Sequence, residues 1–73
     1  MEVVEVDADE YIAIYIDGSF LLFQEYDERT FIKQIVEVLG GTYRSVAVDY
    51  DWLDSIHWEI PEQLADVEIR ERR

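Results

Sequence analysis

The 73 residues set eighteen carboxylates against six basic side chains and one histidine, a formal charge of −12. A chain of this length makes one domain with a small core, and 49% hydrophobic with 14% aromatic residues is too rich in large apolar side chains for a disordered polyelectrolyte. The lack of cysteine excludes disulfides, thiolate metal sites and thiol catalysis, and the negative surplus opposes binding to nucleic acid or to an anionic membrane.

The N-terminal run Met1-Glu2-Val3-Val4-Glu5 contains neither a basic stretch nor an apolar one, so no secretory leader is expected and a cytoplasmic location is. Val3, Val4 and Val6 are β-prone and lead into the polar stretch Asp7-Ala8-Asp9-Glu10. The longest apolar run, Tyr11 to Ile16, is far shorter than the roughly 20 residues that span a bilayer. It meets Asp17-Gly18, after which Ser19 to Phe23 is again β-rich. An Asp-Gly pair between two such runs predicts a β-hairpin, because both central turn residues need positive φ. Alternation within the first arm places Ile12, Ile14 and Ile16 on one face and Tyr11, Ala13 and Tyr15 on the other.

A helix is predicted over about 28–39. Asp27 can accept a bond from a free N–H of the first turn, and Glu28 suits the positive end of the dipole. Phe31, Ile32, Ile35, Val36, Val38 and Leu39 recur at helical spacing as an apolar stripe for the sheet, opposite Arg29, Lys33 and Glu37, and Gly40-Gly41 supplies a left-handed stop. Thr42 to Tyr50 reads as a strand, with Val46, Val48 and Tyr50 pointing one way. Asp51 to Ile56 reads as a turn or one helical turn. Pro61 ends any ladder and can open a short helix through Glu62, Gln63 and Leu64. Val67 and Ile69, alternating with charged residues, fit an edge strand.

These elements predict an α+β fold: a small antiparallel β-sheet, made of a β-hairpin plus one to three further strands, packed on one main α-helix in the order β-β-β-α-β(-β). Residues 1–69 form the single domain, and 70–73 a short basic C-terminal tail. One sheet face takes the helix stripe, and the other, with its tyrosines and carboxylates, is expected to stay exposed.

The run Asp49-Tyr50-Asp51-Trp52-Leu53-Asp54-Ser55-Ile56-His57 could collect a divalent cation, but Leu53 stands at the third ligand position of a calcium loop and Asp54 at its glycine. Asp7-x-Asp9 fails likewise at Tyr11. No metal and no cofactor are implied. With one histidine, no cysteine and glycines that follow the helix, neither a nucleophile–base pair nor a phosphate cradle can be read, so the chain is not expected to be an enzyme.

The charge itself is the remaining signal. Residues 1–28 carry nine carboxylates and residues 45–69 seven, with no Lys or Arg in either stretch. The expected function is a small acidic interaction module that binds, and inhibits, a basic protein partner such as a nuclease or another nucleic-acid-binding protein, as nucleic-acid mimics, immunity proteins and antitoxins do. The expected contact residues are Asp7, Asp9, Glu10, Asp49, Tyr50, Asp51, Trp52 and Asp54. The alternatives are a structural or assembly domain, such as a homodimer, whose acidity serves solubility, and third a ligand- or metal-binding regulator.

Overall fold

The computed structural model describes residues 1–8, 11–25 and 29–70, the side chains of residues 29–31 excepted. Five strands and two helices follow in the order β1 (Glu2–Asp7), β2 (Ile12–Ile16), β3 (Ser19–Gln24), α1 (Arg29–Val38), β4 (Thr42–Val48), α2 (Tyr50–Ser55) and β5 (Ile69–Arg70), with one 3-10 turn (Leu64–Asp66) before the last strand. The fold is α+β as expected, with a second short helix in the order. The expected helix start at Asp27 and Glu28 lies outside the described residues.

The predicted hairpin forms as β2 and β3 around Asp17 (φ 49°) and Gly18 (φ 87°), the positive-φ pair that such a turn demands. The turn is also tied to the first strand: the Asp17 amide donates to the Glu2 carbonyl at 2.8 Å, and the Glu2 amide donates to Asp17 Oδ1 at 2.8 Å. α1 ends as its glycines predict. Gly40, at φ 75°, donates to the Glu37 carbonyl and Gly41 to the Val36 carbonyl, which satisfies two otherwise unpartnered carbonyls of the last turn.

The sheet is mixed, in the order β3-β2-β1-β4-β5, and this corrects the antiparallel expectation. β1 pairs antiparallel with β2 but parallel with β4, in the register Val3↔Tyr43 to Asp7↔Ala47. The reason is the connection. A hairpin turn reverses the chain, whereas a helix laid across the sheet returns it to the end where the previous strand began, so β4 runs parallel to β3 and hence to β1.

A second correction concerns the layers. Val3, Ile12, Ile14 and Val36 form one core cluster on the α1 side, with Ile16, Ile32 and Tyr43 around it. The opposite face is not exposed but holds the larger cluster: Val4, Val6, Ala8, Ala13, Tyr15, Val48, Leu53 and Val67, fringed by Trp52, Trp58, Ile60 and Leu64. Residues 49–68 cover that face, so the molecule is a helix, a sheet and a second layer of short pieces. Tyr50 accordingly begins α2 instead of ending β4.

The central strand carries a buried carboxylate. Glu5 is 1% exposed on the α1 side, and the Tyr43 hydroxyl from β4 donates a hydrogen bond to its Oε2. Removing a donor from a buried acceptor costs the desolvation it had offset. Tyr43→Phe should therefore lower stability by about 1–3 kcal/mol, read as a lower urea midpoint at unchanged slope; an unmoved midpoint would show that the bond contributes nothing.

Candidate acidic interaction surface

The second layer begins where β4 ends. Leu53 is the only fully buried residue of α2, and it turns inward because Val46, Val48 and Tyr15 leave an apolar bed on that face. With Leu53 inward, Asp51 and Asp54, one helical turn apart, point to solvent; residues at this spacing are neighbours, with Cβ atoms roughly 5–6 Å apart. α2 closes in a tight knot: the Trp58 amide donates to the Leu53 carbonyl at 2.8 Å, and His57 (φ 55°) and Trp58 (φ 61°) both take the left-handed conformation. Two non-glycine residues in that region cost about 1–2 kcal/mol each, so packing further along must offset the strain.

That packing is aromatic. Trp58 meets Tyr50 edge-on at 5.2 Å and Tyr11 at 6.2 Å; Tyr11 meets Phe23 at 4.6 Å, Phe23 meets Phe20 at 4.8 Å, and Phe20 meets Tyr15 at 5.8 Å. A chain of six rings thus runs from the exposed Tyr50 to the buried Tyr15. Two tyrosines of the hairpin also tether the layer's backbone, the Tyr11 hydroxyl donating to the Trp58 carbonyl at 3.2 Å and the Tyr15 hydroxyl to the Pro61 carbonyl at 2.5 Å. Further along, the Phe20 amide donates to the Glu62 carbonyl and the Leu64 amide to the Gly18 carbonyl, each at 2.7 Å. Burial and the neighbouring Tyr11 push the Tyr15 phenol up to about 12.

On this scaffold all seven carboxylates of the base-free stretch are exposed: Asp49, Asp51, Asp54, Glu59, Glu62, Asp66 and Glu68. Arg70, the first residue of the expected tail, is instead part of β5; its Nε lies 3.4 Å from Asp49 Oδ1, with both side chains largely exposed. An exposed pair of this kind contributes little to stability. It does lower the charge at one end of the surface.

Of the residues expected to make contact, Asp49, Tyr50, Asp51 and Asp54 lie together on this layer, all exposed. Trp52 is half-buried against the core cluster and serves the packing of α2. Asp7 is half-buried on the α1 side of the sheet, and Asp9 and Glu10 lie outside the described residues. The parallel register Asp7↔Ala47 makes β1 and β4 end together, so the first acidic segment leaves the sheet at the same end as Asp49. Sequence reasoning passed over Glu59, Glu62, Asp66 and Glu68 as contact residues. The signal for them was present, since the absence of any base extends through residue 69.

Among the described residues no group of three His, Asp or Glu side chains gathers as metal ligands, and no helix is long and apolar enough to cross a membrane. Compared with protein-family models, with curated proteins and with solved structures, the chain matches none.

Proposed function

We propose that this domain is an acidic interaction module whose 49–68 layer docks a basic protein, of the class that holds nucleic acid in a cationic cleft, and blocks that cleft. The observation that carries the reading is the set of seven exposed carboxylates on a layer that a buried leucine, a ring chain and two tyrosine hydroxyls hold against the sheet. Rigid placement matters, because charges fixed before association steer the encounter and lose little entropy on docking. The exposed Tyr50 ring, beside Asp49 and Asp51, supplies the kind of amphipathic anchor that such interfaces favour. The proposed role is stoichiometric occupation, with no catalytic step.

Affinity capture from the source cells, eluted along a salt gradient, should recover a basic nucleic-acid-binding protein that leaves at moderate salt, as screening requires. Reversing Asp49, Asp51 and Asp54 to Lys should weaken that complex at least a hundredfold while the circular dichroism spectrum stays native, because all three side chains are exposed. Binding indifferent to salt, or unchanged in the triple variant, would overturn the reading.

A further inference from the structure

We infer that the β3 edge and the C-terminal half of α1 form the contact surface of a two-fold symmetric homodimer. The expected helix stripe does not disappear against the sheet. Val36 is buried and Ile32 half-buried, but Val38 is 86% and Leu39 67% exposed, with Ile35 also outward. α1 packs nearest β4 and its Val36 clusters with the buried Ile12 and Ile14 of β2, whereas on the same face Leu21 and Leu22 of β3 stay exposed. There Leu21, Leu22, Ile14, Ile32, Ile35 and Leu39 help to bound an open groove of about 200 Å³. A register shift opposite Ile14 and Tyr15 makes Leu21 an extra residue in β3, and both Leu21 and Leu22 line the groove.

β3 is also an open edge. Gly18 and Phe20 bond to the 62–64 segment, but from Leu21 to Gln24 no described residue pairs with the outward side of the strand. No charge protects it: Gly18 to Gln24 contains neither an acid nor a base, and Leu21 and Phe23 are 54% and 53% exposed. Edges that must stay single are usually guarded by lysine, by proline or by burial.

The occupant follows from charge and size. A chain of net charge −12 can approach its own copy only where its surface is neutral, and Gly18–Gln24 with the aliphatic flank of α1 is such a surface. A basic partner finds no carboxylate there to select it. Met1, Leu21, Leu22, Ile35, Val38 and Leu39 together expose on the order of 600 Å² per chain, approaching the roughly 800 Å² that each partner contributes to a stable interface. Two antiparallel β3 edges are self-complementary about a two-fold axis, which closes the assembly at two copies. Both 49–68 layers then lie on one side of the joined sheet, reaching the β3 edge where residues 62–64 bond to Gly18 and Phe20.

Sedimentation equilibrium of the full chain should give twice the 8.7 kDa mass, with a dissociation constant that falls as salt is added because screening relieves the mutual repulsion. Binding of a basic partner to the 49–68 layer has the opposite salt dependence, so the two surfaces are separable. Leu21→Lys and Val38→Lys, at exposed positions, should each weaken the dimer by about a hundredfold with circular dichroism unchanged, even though each added cation lowers the net repulsion. A protein that stays monomeric into the high micromolar range at high salt overturns the inference. So does a dimer that survives both variants, or one that grows into open polymers.

Discussion

Leu53→Ala should lower stability by about 3–4 kcal/mol. The side chain is fully buried among Val48, Val67 and the β1–β2 residues of the larger core cluster, and truncation removes its transfer free energy and leaves a cavity as well. The sequence reads Asp51 to Ile56 as a turn or one helical turn; at an exposed turn position the same change would register only a few tenths of a kcal/mol. The total stability of a 73-residue domain is on the order of 4–11 kcal/mol, so this one substitution removes a large fraction of it. Urea unfolding followed by tryptophan fluorescence gives the midpoint and slope; Leu39→Ala, on the exposed end of α1, serves as the control and should shift the monomer's midpoint little. A loss below about 1 kcal/mol for Leu53→Ala would mean that α2 does not dock on the sheet.

The second large effect is alkaline. Tyr15 holds its proton to about 12 in the folded protein, against 10.0 for an unperturbed phenol, chiefly because burial disfavours the phenolate and secondarily because Tyr11 lies near. Between pH 10 and pH 12 the unfolded chain has released this proton while the folded chain retains it. Unfolding then liberates a proton, so stability falls as pH rises; below pH 10 both states are protonated and this contribution is complete. The loss across the window is on the order of 2 kcal/mol. Tyr15→Phe should remove that slope and, by deleting the bond to the Pro61 carbonyl, cost about 1 kcal/mol at neutral pH. Chemical denaturation from pH 7 to pH 12, comparing wild type with the variant, checks both parts. Parallel curves above pH 10 would refute the assignment to Tyr15.

How the second layer could have been foreseen is visible in β2. Ile12-Ala13-Ile14-Tyr15-Ile16 has no polar residue in alternation, and β1 adds Val3, Val4 and Val6 on both parities. A strand with one solvated face alternates; a run that is apolar at every position is covered on both sides. The run is too short to span a bilayer and has the length of a strand held between two layers. Trp52, an expected contact residue, and Trp58 are part of that cover. The buried Glu5 gave no signal of its own, because a carboxylate between valines is recognisable as internal only when the tyrosine that bonds it, 38 residues away, is known to stand on the next strand.

From local chemistry alone came the Asp17-Gly18 hairpin, the helix with its Gly40-Gly41 end, the α+β class and the concentration of charge in two base-free stretches. Each rests on interactions within a few residues: φ preference at a turn, periodicity along a helix, capping of the last carbonyls. The parallel pairing of β1 with β4, the burial of Tyr15 and Leu53, the solvent exposure of Val38 and Leu39, and the gathering of seven carboxylates on one layer were decided only by tertiary structure. These depend on which elements compete for the two faces of one small sheet. A helix of ten residues is too narrow to cover one face of five strands, and the residues from 49 to 68 won the other. The acidic surface faces solvent because the same segment had to turn its leucine and tryptophans inward.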